Sequence, residues 1–105
     1  MAAGGFDNRK VGTRLLFENA AVRVWEIVLE PGERLPMHRH ATSYFYRCHS
    51  GGRVRVGLPD GESVELDSPA DEVHFHEIGP DDVVVHDLAN VGDTVLTYTT
   101  VELLR

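Results

Sequence analysis

From Arg14 onward the chain is cut every several residues by clusters of turn formers, and no segment between two cuts shows a convincing helical period. The clusters are Pro31-Gly32, Ser50-Gly51-Gly52, Pro59-Asp60-Gly61, Ser68-Pro69, Gly79-Pro80 and Asn90-Val91-Gly92-Asp93. Glycine supplies positive φ and proline presets φ, so each cluster is a turn with a mechanism. The runs between them are short and rich in Val, Leu, Phe, Tyr and Thr, which is the pattern of an all-β sandwich or barrel. The expected strands are Arg14 to Glu18, Ala21 to Glu30, Leu35 to His38, Ser43 to His49, Arg53 to Leu58, Ser63 to Leu66, Glu72 to Glu77, Val83 to Ala89 and Thr94 to Glu102. Polarity alternates along Arg53 to Leu58 and Thr94 to Glu102, as in sheets with one wet and one dry face.

A chain of 105 residues holds one domain and one modest core. The small, polar, Gly-rich start suggests a flexible N-terminal arm over residues 1–13, followed by a single domain over residues 14–105. An apolar content of 42% with 26% charged residues suits a folded domain and not a disordered chain. No apolar run approaches the roughly 20 residues of a membrane-spanning helix. Met1 to Lys10 has no apolar stretch behind a basic start, so the expected location is the cytoplasm. The formal charge of −7, from 17 acidic and 10 basic residues, argues against a nucleic-acid partner. The one cysteine, Cys48, reads as a small buried side chain and not a disulfide partner.

Three of the six histidines are placed as a metal site would place them. His38 and His40 are two apart on an extended segment, so both leave the same face with backbones about 6.6 Å apart. Two imidazoles at that separation can converge on an ion about 2.1 Å from each nitrogen. A third ligand has to come from another strand. His86, in Val83-Val84-Val85-His86-Asp87-Leu88, is the candidate, because its apolar neighbours would bury the strand.

On these residues the sequence resembles the cupin superfamily. The first cupin motif, G-x5-H-x-H-x3-4-E-x6-G, is matched by Gly32, His38, His40 and Gly51, with Tyr44 at the glutamate position. The end of the second motif, H-x3-N, is matched by His86 and Asn90. The P-x-G-x2-H entry of that motif is not matched in register, since Gly79-Pro80 lies too far before His86. The resemblance implies an all-β, cupin-type double-stranded β-helix (jelly-roll) barrel with one divalent transition metal on His38, His40 and His86. Tyr44 in place of the usual glutamate makes the shell three neutral histidines with open positions. Such a shell resembles those of cysteine dioxygenase and acetylacetone dioxygenase and favours Fe(II), although histidine ligands also suit Zn, Mn, Ni or Cu.

Tyr44 either donates a hydrogen bond near the ion or packs within Tyr44-Phe45-Tyr46. His74 and His76 share one face of their strand and Phe75 the other; if the histidines face inward, His76 is placed to act as acid, base or substrate contact. Tyr44 and His76 are the expected catalytic residues. Either Trp25 or Glu26 must face the core, and a buried Glu26 would be the carboxylate to watch as a substitute ligand. His49 reads as a surface residue, and Asp81 and Asp82 as solvated loop charges.

The expected function is a small metal-dependent enzyme, dioxygenase-like, acting on a small organic metabolite. The alternatives are a non-catalytic metal- or ligand-binding cupin and a redox-neutral isomerase or lyase. Small cupins resemble one another in pairing through a sheet edge, which implies a homodimer.

Overall fold

The computed structural model describes residues 7–105. In chain order the strands are β1 (Arg14–Glu18), β2 (Val22–Leu29), β3 (Arg34–His40), β4 (Tyr44–Cys48), β5 (Gly52–Gly57), β6 (Ser63–Ser68), β7 (Val73–His76), β8 (Val84–Asn90) and β9 (Leu96–Leu103). Every expected strand is present, with ends displaced by two residues at most. They form two antiparallel sheets, of order β1-β2-β9-β4-β7 and β3-β8-β5-β6. Gly32 and Gly51 both hold positive φ, 88° and 72°. An L side chain is strained there, which is the physical content of the two motif glycines.

The strand registers divide the interior into a packed end and a chemical end. Leu29 lies opposite Leu96, Cys48 opposite Tyr98, and Leu35 opposite Leu88. With Ile27 and Val54 these residues form the hydrophobic core, and Leu96 has no exposed surface. A few residues along the same strands, Trp25 lies opposite Thr100, Tyr44 opposite both Glu102 and His76, and His38 opposite His86. Strands β2, β3, β4, β8 and β9 therefore each contribute packing at one end and polar or aromatic side chains at the other.

A bulge in β3 is what brings the histidines inside. Leu35 pairs with Leu88 and His38 with His86, so β3 uses three steps where β8 uses two. Strict alternation would put Leu35 and His38 on opposite faces. The extra residue lets both point inward, 4% and 2% exposed. Pro36, which lacks an N–H to give the ladder, sits inside the bulge. Deleting Met37 is expected to remove the bulge, so that either His38 and His40 turn outward or Leu35 leaves the core. The first outcome abolishes metal retention; the second costs about 1.5–3 kcal/mol of stability. A deleted chain that keeps both its bound metal and its unfolding temperature would contradict the assignment.

The expected arm lies partly outside the described residues. Of its remainder, Asn8 accepts from Arg39 N at 2.7 Å and donates Nδ2–H to Met37 O at 3.0 Å, covering the free edge of β3. Val11 is 1% exposed and lines the interior cavity.

Candidate metal centre

His38 and His86 face each other across the β3–β8 pair, and alternation puts His40 on the same inner face. Their ring centroids are 4.7 Å (His38–His86), 5.0 Å (His38–His40) and 5.1 Å (His40–His86) apart. One ligand atom from each residue lies within 4.8 Å of the others, and among the described residues this metal-capable cluster consists of the three histidines alone. His40 Nε2 and His86 Nε2 are 3.2 Å apart. Two nitrogens about 2.1 Å from one ion are separated by roughly 3.0–3.4 Å for ordinary tetrahedral or octahedral angles. The observed spacing fits.

The hydrogen bonding also suits an ion. His38 Nδ1 lies 2.8 Å from the Pro36 carbonyl, which can only accept, so Nδ1 carries the proton and Nε2 keeps a free lone pair. His40 Nδ1 is buried without a partner, and its Nε2 faces the Nε2 of His86. A cation between the rings would take the His38 Nε2 lone pair and replace the one Nε2–Nε2 contact that His40 and His86 make with each other.

The rings are held neutral. Burial lowers the His40 pKa to about 2, with further lowering from His38, His86 and His76. Burial likewise lowers His86 to about 4, helped by His38 and His76 and opposed by Asp87. His38 is lowered by burial against the opposing pull of the Pro36 carbonyl and Asp87. Neutral imidazole is the form that binds metal. Because these pKa values lie below the unfolded value of about 6.5, the unfolded chain binds more protons in acid. In the metal-stripped protein, stability is therefore expected to be full above pH 6.5 and to fall steadily from there towards pH 4, continuing below as His40 titrates. Urea unfolding at pH 7 and pH 4.5 tests this, and equal midpoints would contradict it.

The opposite wall carries the two expected catalytic residues. Tyr44, 2% exposed, stacks on His40 with centroids 3.8 Å apart and planes at 13°. His76 stacks on the other face of this pairing, 4.9 Å from Tyr44. The β4–β7 register sets Tyr44 against His76 and Tyr46 against His74, so both β7 histidines take the inner face and Phe75 points out, 60% exposed. His76 lines the cavity, with a pKa lowered by burial and by His74. His74 instead pairs with Glu72 at the surface.

Glu26 is not a buried carboxylate. Trp25 takes the inner face, and Glu26 meets Arg14 at 3.2 Å outside. The buried acid is Glu102, 4% exposed, which accepts from Trp25 Nε1 at 2.7 Å and from Arg23 Nη1 at 3.2 Å. It braces the chemical end without joining the histidine cluster. The signal for it was present in the parity Leu96-x-Tyr98-x-Thr100-x-Glu102. His49 is exposed beside Thr99, and Cys48 is buried, as expected.

No family model and no curated protein matches the sequence. Solved structures do match the fold. A cupin domain from Bordetella pertussis Tohama I is 24% identical, with a TM-score of 0.74 over 92% of this chain and 95% of that one. An RmlC-like cupin family protein with a double-stranded β-helix fold from Methanocaldococcus jannaschii is 16% identical, with a TM-score of 0.63 over 92% of this chain and 86% of that one. A cupin superfamily protein from Desulfitobacterium hafniense DCB-2 is 13% identical, with a TM-score of 0.61 over 90% and 81%. The chain thus has the cupin fold, a double-stranded β-helix, with three histidines on one wall that could hold a metal ion.

Proposed function

We propose that this is a small metal-dependent cupin enzyme in which His38, His40 and His86 hold one divalent transition metal, Fe(II) by preference, for dioxygenase-like oxidation of a small organic metabolite. The observation that carries the reading is a cluster of three imidazoles, His38 and His40 buried and His86 half-buried, with no carboxylate in it. A neutral shell leaves more net positive charge on the ion, which favours an anionic or enolate ligand. Fe(II) bound there would supply the one-electron chemistry that O₂ requires. Tyr44 fixes the His40 ring by stacking, and His76, neutral near pH 7, can accept a proton at the cavity wall.

The test is anaerobic loading with Fe(II), followed by candidate acids and dicarbonyls under an oxygen electrode. Oxygen uptake that depends on both iron and substrate is expected. Retention of zinc or nickel alone, with no uptake for any substrate, would overturn the oxidative reading.

We infer further that two copies pair. The outer face of the five-stranded sheet carries a row in register across every strand, Phe17, Val24, Val101, Phe45 and Phe75. Phe17 and Phe75 at its two ends are 54% and 60% exposed. The row is flanked by the Arg14–Glu26 and Arg47–Asp71 ion pairs, so a second copy offers both the apolar surface and the charges of either sign. Light scattering at micromolar concentration is expected to give a dimer, and Phe75→Asp a monomer; a monomeric parent chain would sink this.

A further inference from the structure

The cavity beside the histidines has a volume of about 360 Å³. At ~30 Å³ per water that is room for roughly a dozen water-sized units, so a ligand of about ten non-hydrogen atoms fills it. Nine aliphatic side chains line it, and among the described residues no Asp, Glu, Lys or Arg does. Two of its hydroxyls, on Ser68 and Tyr98, already satisfy each other at 2.5 Å. Apart from the wall of His38, His40 and His86, the polar lining is the His76 ring and the hydroxyls of Tyr44, Tyr46 and Thr100, with no Lys or Arg to pair a second carboxylate. A second carboxylate buried there would lose water without finding a countercharge.

The edge strand β6 adds an independent observation. Val64 and Leu66 point towards the cavity from opposite Val56 and Val54, yet they are 54% and 42% exposed. Leu58 at the same mouth is 39% exposed. Apolar side chains aimed into a cavity and still wet gain free energy when an apolar ligand covers them.

We infer that the cavity binds a hydrophobic molecule with a single oxygen-bearing head, at most a monoanion, whose aliphatic or aromatic body runs from the histidine wall towards β6. Dicarboxylates, whose second carboxylate meets no cation in the lining, are excluded. The head's attachment rests on the metal reading above; the nature of the body does not.

The experiment uses the full chain loaded with Co(II), whose visible absorption reports on its ligands, titrated with acetate, butanoate, hexanoate and adipate. Affinity is expected to rise about fourfold for each methylene the cavity buries. Hexanoate should then bind at least tenfold more tightly than adipate, which has the same six carbons and a second carboxylate. If acetate perturbs the Co(II) spectrum but affinity is flat along the series, or adipate matches hexanoate, the inference falls and the metal centre stands. If Co(II) is not retained, the metal reading falls, and the series is read on the metal-free chain by thermal stabilisation. A gain with chain length that adipate does not share then upholds the apolar body, and no gain removes it. Leu66→Asp, at the exposed mouth, is expected to lower hexanoate affinity by tenfold or more with little change for acetate, and equal losses for both acids would count against the orientation.

Discussion

Replacing His86 by alanine is expected to leave a folded barrel that no longer retains a divalent ion. His38 and His40 alone offer two nitrogens from one strand, and the ion loses the ligand that β8 holds opposite them. Loss of an outer-shell partner already lowers metal affinity about 10–100-fold, and loss of a ligand costs more. The substituted residue is only half-buried and lies away from the hydrophobic core, so the metal-stripped variant should unfold within a few degrees of the parent. What disappears is stabilisation by metal. At a hundred times the dissociation constant this is about 2.7 kcal/mol, or roughly 10–20 °C for a domain of this size. Elemental analysis and thermal unfolding with and without added metal check both halves. A variant that keeps one ion per chain and the full thermal shift would show that the three rings do not share a centre.

Asn90→Asp is expected to be the most destabilising single-atom change in the motif residues. The Asn90 side chain is 2% exposed and donates from Nδ2 to Leu29 O at 2.9 Å and to Thr94 O at 2.8 Å. Its Oδ1 accepts from Gly92 N at 3.0 Å. These three bonds tie the end of β2 and the end of β8 to the turn that leads into β9. Aspartate keeps the acceptor, loses both donors and sets a carboxylate against two buried carbonyls. Two unsatisfied carbonyls at about 1–3 kcal/mol each predict a loss near 3 kcal/mol, and a midpoint lowered by about 10–20 °C. Asn90→Ala removes the bonds without adding a charge and should fall between the two proteins. A midpoint for Asn90→Asp within a few degrees of the parent would contradict this account.

Much of the site was legible because short-range rules apply to it. The turn clusters bound the strands, since glycine and proline act through their own φ. The H-x-H spacing placed two imidazoles on one face, since the strand period is two. Both motif glycines proved to occupy left-handed backbone, and H-x3-N contributed one imidazole of the histidine cluster and one turn clamp from the same strand.

The remaining features depend on which strand lies beside which. Alternation in β7 separates His74 and His76 from Phe75 but does not say which set faces in; only the pairing of Tyr44 with His76 decides it. Alternation in β2 likewise leaves Trp25 and Glu26 open until β9 supplies Glu102 as the acceptor for the indole. Composition did not separate Glu26 from Glu102, because a carboxylate is buried by the partners it meets and not by its neighbours in sequence.

By itself the sequence determined that this chain is a run of short strands carrying three ligand-type imidazoles at a two-residue spacing and on a distant strand. Only the tertiary structure decided that those imidazoles converge. One extra residue at Pro36–Met37 changes the face of everything after it relative to Leu35, and that shift exists only in the register between β3 and β8. A strand's alternation is local, whereas its choice of inner face belongs to the pair.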